Sequence, residues 1–151
     1  MPKHGYSVEV EEEISAKAMG RELHISPKDS VEICQEIKGM MLPQAQEYLR
    51  SVIRKEKSVP YNRHGKKRAH RKGKGVDAGG YPVKAAKEIL GVLENAENNA
   101  EYKGLSPDNS RVVHASAKKG IKFEGFTPRA FGRASPSNTP TTNIEIVVRE
   151  G

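Results

Sequence analysis

Apolar residues recur along this chain with two different periods, three to four residues in its first two-thirds and two residues near its end. The first period predicts helices and the second predicts strands. The longest helical stripe is Ala85, Ala86, Ile89, Val92, Leu93, Ala96 and Ala100. Tyr81-Pro82 opens that helix and Gly104 stops it, just after Lys103. An earlier helix is predicted over 26–39, with Ser26 as N-cap, Pro27 in the first turn and Asp29 near the positive end of the dipole. Val31, Ile33, Cys34 and Ile37 form its apolar face. Leu42-Pro43 restarts the pattern, and Ala45, Leu49, Val52 and Ile53 share a face while Arg50, Arg54 and Lys55 lie off it. That helix is expected to end near Lys57.

From Ser110 the period changes. Val113, Ala115 and Ala117 alternate with His114, Ser116 and Lys118, and Ile121 and Phe123 continue beyond Gly120. Ile144, Ile146 and Val148 alternate in the same way at the far end. A weaker alternation through Met19, Leu23 and Ile25 predicts a first strand over 16–25. Helices followed by a meander predict an α+β fold, with three helices packed on a small antiparallel sheet and a long protruding β-hairpin. At 151 residues the chain is one domain, able to bury about two-thirds of the surface its unfolded form exposes.

Three stretches carry neither period. Residues 1–15 mix Gly and Ser with Glu9, Glu11, Glu12 and Glu13 and are expected to form an extended or partly ordered tail. Residues 57–80 are punctuated by Pro60, Gly65, Gly73, Gly75, Gly79 and Gly80 and read as a long loop insertion, either functional or disordered. Residues 124–144 read as a polar finger without an apolar face. From 125 to 144 there is no acid, two arginines and three prolines. Two-stranded extensions are marginal in water by themselves, so such a finger is expected to lie against something large and anionic.

Charge sharpens this picture. The net charge is +7, yet residues 57–76 hold eight Lys/Arg and no acid, while the other 131 residues carry 18 basic against 19 acidic side chains. The excess is local, which suits a partner gripped by an arm and excludes an evenly basic surface. Lys and Arg neutralise phosphates, Gly permits close approach, and Arg and Tyr61 can stack on bases. Arg63, Lys66, Lys67, Arg68, Arg71, Lys72 and Lys74, with Tyr61, are therefore the first candidates for nucleic-acid contact, joined by Lys118, Lys119 and Lys122 before the finger and Arg129 and Arg133 within it. If all eight cations of 57–76 met RNA phosphates, the salt slope of binding would be about −6 to −7. In an extended arm, Arg129 and Arg133 would face one side about 13 Å apart. The bland readings are a solvated disordered loop or a localisation signal for 57–76, and a floppy surface loop for the finger.

Other chemistries find little support. With hydrophobics at 35%, aromatics at 5% and a mean hydropathy of −0.71, the core should be small and aliphatic. Cys34 stands alone and reads as a buried thiol. His4, His24, His64, His70 and His114 show no metal-ligand spacing, so neither metal nor cofactor is expected. The glycines at 73–79 lack the Gly-Lys-Ser/Thr ending of a nucleotide loop, and nothing marks a nucleophile elbow, so no enzyme is expected. No apolar run of signal-peptide or membrane-spanning length occurs, from which a soluble, intracellular protein without a membrane partner is expected.

The run Pro128-Arg129-Ala130-Phe131-Gly132-Arg133-Ala134, a polar stretch and Ile144-Glu145-Ile146 resemble the hairpin of the universal large-subunit ribosomal protein twenty-two family, called large-subunit protein seventeen in eukaryotes. The segment 94–105, Glu36-Ile37-Lys38-Gly39 and Tyr81-Pro82-Val83-Lys84-Ala85 extend the resemblance over nearly the whole chain. Val59-Pro60-Tyr61 with the basic loop, and Tyr6-Ser7-Val8-Glu9, resemble archaeal members. The resemblance implies a structural constituent of the large subunit in the cytoplasm. It would bind large-subunit rRNA, aid assembly, touch neighbouring ribosomal proteins and line the nascent-polypeptide tunnel with its hairpin. Arg129 and Arg133 match the family's hairpin arginines. Ala134, Ser135, Pro136, Ser137, Asn138 and Thr139 would occupy the tip, which is less basic than in many bacterial members and would adhere less to a passing peptide.

Two further classes stay open. A free-standing nucleic-acid-binding module would use the loop 57–76 alone and need no finger. A sheet-edge interaction protein would need apolar residues at alternate positions of the finger.

Overall fold

The computed structural model describes residues 5–151. In chain order its elements are β1 (Ser15–Leu23), α1 (Pro27–Ile37), α2 (Leu42–Ile53), β2 (Val59–Pro60), β3 (Gly79–Gly80), α3 (Val83–Tyr102), β4 (Ser110–Phe123), β5 (Phe126–Pro128), β6 (Ala134–Pro136) and β7 (Thr139–Glu150). The fold is α+β, as the two periods predict. The main sheet is antiparallel with strand order β1-β7-β4, and β2-β3 and β5-β6 form two small pairs.

Each helix forms where its apolar stripe finds the sheet. All seven stripe residues of α3 are buried, and the helix lies on β1 and β7 and against α2. Helix α1 starts as the sequence indicates, the Ser26 hydroxyl accepting from the Asp29 amide, and packs on β4. From the sheet side, Ala16 and Ala18 of β1, Val112 of β4 and Ile144, Ile146 and Val148 of β7 complete the aliphatic core. Small residues let β1 and α3 approach closely. A Cβ at Gly20 would come within 2.8 Å of both the Leu23 and Val92 side chains.

One register expectation needs correction. Between Val112 and His114 the β4–β7 ladder shifts, with Val112 opposite Val148 and His114 opposite Val147. Val113 is the extra residue of this bulge, so Val112 enters the core at 0% exposure and Val113 stays only partly buried. Sequence alternation cannot reveal a bulge between two adjacent valines.

The sheet's other face is covered as well. Residues 8–13 form no helix or strand; Ser7 lies on this face at Glu145, and Ile14 extends the β1 ladder beside β7. The Ser7 amide and hydroxyl donate to Glu145, and the Glu150 amide donates to the Ile14 carbonyl. The free edge of β1 is met by α3, where Asn99 Nδ2 donates to the Lys17 carbonyl at 2.8 Å and Lys103 Nζ to the Glu12 and Ser15 carbonyls at 2.9 and 3.0 Å. The tail expected to be extended or partly ordered is thus anchored at several points. Of the span 1–15, residues 1–4 lie outside the described residues.

The bulge makes a sharp prediction. Val112→Ala should destabilise the protein by about 2 kcal/mol and Val113→Ala by less than about 1, read as midpoints of urea unfolding.

Candidate nucleic-acid interface

The basic loop is a folded element. Beyond the β2–β3 pairing of Val59 with Gly80 and Pro60 with Gly79, the Tyr61 amide donates to the Ala78 carbonyl at 2.8 Å. On the other side of the same segment, the Gly79 amide donates to the Ala69 carbonyl and the Arg71 amide to the Asp77 carbonyl. Segments 59–61, 78–80 and 69–71 therefore lie side by side. The middle segment is closely packed at Gly79, where a Cβ would meet the Val59 carbonyl, Val76 and Arg71 at 3.0–3.2 Å.

Acids on α1 hold this element down. Glu32, 1% exposed, accepts from the backbone amides of Asn62, Arg63 and His64 at 3.1, 2.9 and 2.7 Å. One turn earlier, Asp29 accepts the Tyr61 hydroxyl at 2.8 Å and Arg68 Nη2 at 3.0 Å. Burial, and then Asp29, push the Tyr61 phenol well above the usual range. A cleft of about 330 Å³ lies here, lined by Lys28, Arg63, His64, Lys66 and Arg68, with Asp29 as its one acid.

The structure sorts the sequence candidates. Tyr61 is 3% exposed and its ring lies 4.3 Å from the Arg68 guanidinium, so it serves as an internal platform with no free face for a base. Arg71 lies 5.2 Å over the Tyr81 ring. Lys118 Nζ pairs with Glu145 at 2.9 Å, and Lys122 approaches Glu124 at 3.8 Å. Arg63, Lys66, Lys67, Lys72, Lys74, Lys119, Arg129 and Arg133 are all exposed and have no acidic partner among the described residues. Of the sequence candidates, these eight are the ones free to meet phosphates.

The finger is a paired arm. Past Lys119 opposite Thr142, β4 and β7 continue without β1, with Lys122 opposite Pro140 and Phe123 opposite Thr139. Then β5 and β6 pair, Phe126 opposite Pro136 and Pro128 opposite Ala134. The reversal falls at a short 3-10 turn over Ala130–Gly132, where the Arg129 amide donates to the Arg133 carbonyl at 2.8 Å. This corrects two expectations. Arg129 and Arg133 face each other across the turn instead of lying extended along one strand, and Ala134, Ser135 and Pro136 form the returning strand, with Ser137, Asn138 and Thr139 farther back. Phe131 (φ 60°) and Gly132 (φ 66°) are both left-handed, which is how so tight a reversal is made.

The arm also carries apolar groups that the finger's polar composition concealed. Ile121, Phe123, Phe126 and Phe131 are exposed, Phe131 at 94%, and Phe123 stacks on His24 at its base.

Glu145 is a third acid whose partners the sequence did not reveal. It accepts from Ser7, Ser116 and Lys118, with His114 Nε2 at 3.5 Å. Burial pushes this carboxyl up, but the hydroxyl and amide of Ser7 and the Lys118 ammonium together outweigh it and hold it down at about 2. A mid-strand Glu in an apolar alternation was the available signal. The bland reading of Cys34 fits its place, since burial pushes the thiol up to about 12. No group of side chains among the described residues could hold a metal, and none of their helices is long and apolar enough to cross a membrane. His4 lies outside the described residues.

An α+β domain that displays two cation-bearing extensions from an aliphatic core is built to bind, with its chemistry in surface charge. The description ribosomal protein L22p/L17e matches residues 18–149. The large ribosomal subunit protein uL22 of Methanopyrus kandleri is 56% identical over 144 residues, covering 94% of this chain and 91% of that protein. Proteins of the same name from Methanosphaera stadtmanae and Methanococcoides burtonii are 54% and 49% identical, over 97% and 99% of this chain and 96% and 99% of their own. The chain belongs to the ribosomal protein L22p/L17e family, whose members are structural and non-enzymatic.

Glu145 sets a pH dependence. Its carboxyl is lower in the folded than in the unfolded protein, so its contribution is full above about pH 4.5 and is lost as pH falls toward about 2. Stability measured by urea unfolding should drop by up to about 3 kcal/mol over that window from this group. In Glu145→Gln the decline should be correspondingly shallower.

Proposed function

We propose that this protein is a structural constituent of the archaeal large ribosomal subunit, working in the cytoplasm, and that it binds large-subunit rRNA through the folded basic loop and the arm. The observation that carries this reading is the division of its cations. Arg68 and Arg71 are paired or stacked within the fold, whereas Arg63, Lys66, Lys67, Lys72 and Lys74 of the loop are exposed without acidic partners. Five such cations on phosphates correspond to a salt slope of about −4 from the loop. Family membership supports rRNA as the polyanion, and the names of the relatives support the large subunit.

The arm has a complementary role. Its strands are bonded to each other as far as the turn, so it can reach into a crevice of folded RNA, with Arg129 and Arg133 at the apex for phosphates. We assign to this apex and the returning residues 134–139 the lining of the nascent-polypeptide tunnel, where the Ser, Asn and Thr of the latter offer a passing chain little to adhere to. By bridging distant RNA segments from one rigid domain the protein would aid subunit assembly beside neighbouring ribosomal proteins.

Replacing residues 121–140 with an Asn-Gly turn tests this. The β1-β7-β4 register lies outside the cut, so the thermal midpoint should change by only a few degrees. In sucrose gradients of a strain carrying this variant as its only copy, stoichiometric association with large subunits should be lost at high salt. Unchanged association would mean that the loop suffices and that the arm does not hold the protein on the subunit, whereas a wild-type protein found at the top of the gradient would favour a free-standing nucleic-acid-binding module.

A further inference from the structure

We propose that Glu32 is a positioning residue for RNA binding, whose buried carboxylate folds the basic loop before any RNA arrives. The inference rests on the loop being an RNA-binding element, as proposed above, and adds how it is made ready.

Glu32 lies in the middle of α1 beside the core residues Ile33 and Cys34 and is 1% exposed. No Lys, Arg or His forms an ion pair with it among the described residues. A buried carboxylate without a cation is tolerated only where hydrogen-bond donors converge on it. Here the donors are three successive backbone amides. Oε2 takes that of Asn62, and Oε1 those of Arg63 and His64. Backbone amides cannot rotate away as a lysine side chain can, so satisfying this charge fixes the path of the chain at 62–64 and the direction in which Arg63 leaves it.

Asp29 adds a second point on the same helix face, three residues earlier. It holds Tyr61 and Arg68, and the Arg68 guanidinium closes over the Tyr61 ring. With the β2–β3 pairing at its base, the loop is restrained at residues 59–64, 68 and 78–80. The exposed cations between these restraints become a fixed array, and the conformational entropy of ordering them is lost in folding instead of in RNA binding.

The alternative is a carboxylate that only stabilises the fold, and two readouts separate the cases. Amide hydrogen exchange of the free wild-type protein should show Asn62, Arg63 and His64 slowed at least about 100-fold relative to an unfolded chain. In Glu32→Gln, where an NH2 group replaces one acceptor and faces the same amides, that protection should vanish while the amide of Ile146 stays protected. Binding of folded Glu32→Gln to deproteinised large-subunit rRNA should weaken about tenfold, with the salt slope unchanged. The slope persists because the same cations finally reach the same phosphates. A fold-only role would lower the unfolding midpoint and leave rRNA affinity at the wild-type value.

Asp29→Asn, which leaves Glu32 intact, serves if Glu32→Gln fails to fold. It should weaken binding about threefold, again at constant slope. Rapid exchange at 62–64 in the wild-type protein, or wild-type affinity in both variants, would overturn the proposal. Absence of rRNA binding by wild-type protein with protected loop amides would overturn the function of the loop and its positioning for RNA, leaving the clamp itself standing.

Discussion

Strand β7 is hydrogen-bonded along both edges, to β1 on one side and β4 on the other, and it is buried on both faces from Ile144 to Val148. Two neighbours and two buried faces leave it a single register, since a slip of one residue would drive Glu145 into the helix layer and Ile146 out of it. The helices then pack where Ile144, Ile146 and Val148 present themselves. The N-terminal segment is held where Glu145 reaches Ser7. The arm begins where β1 ends, so the direction in which it leaves the domain is set by the same strand that organises the core.

A second constraint is electrostatic. A chain that concentrates cations in one loop must overcome their mutual repulsion to fold it. Two acids on α1 that contribute little to the exposed surface do this work, and a third, Glu145, plays the same part at the sheet. Glu32 takes backbone amides, Asp29 takes Arg68 and the Tyr61 hydroxyl, and Glu145 takes Lys118 and Ser7. Hydrogen bonds to a charged acceptor are stronger than neutral ones, and they are stronger still away from water. The cations left over point outward without partners, which is the state in which a phosphate backbone can use them. For a ribosomal protein, interior acid and exterior base are two halves of one arrangement.

The arm shows the same economy with different chemistry. It has no helix layer beneath it, and four of its large apolar side chains are exposed. Apolar groups in such a place ordinarily mark an interaction surface. Next to Arg129 and Arg133, the Phe131 ring at the apex gives the tip both an apolar and a cationic character, although Ser135, Ser137, Asn138 and Thr139 behind it are small and polar.

Much of this was legible in the residues alone. The α3 stripe, the Ser26 cap, the alternation of Ile144, Ile146 and Val148 and the two acid-free windows each depend on neighbours close in sequence, where period and charge speak directly. The resemblance to the ribosomal family rested on contiguous motifs and was legible for the same reason. What only the tertiary structure decided were the relations between distant residues. Glu32 is 30 to 32 positions from the amides it holds, Ser7 is 138 from Glu145, and the bulge at Val113 depends on how β4 meets β7. The turn at Ala130–Gly132 was hidden differently, because the polar, proline-containing stretch after it looked more like a tip than the arginine-flanked phenylalanine that makes one. A local pattern determines what a segment can become; which polar group ends buried, and what satisfies it, is settled only when the elements close on one another.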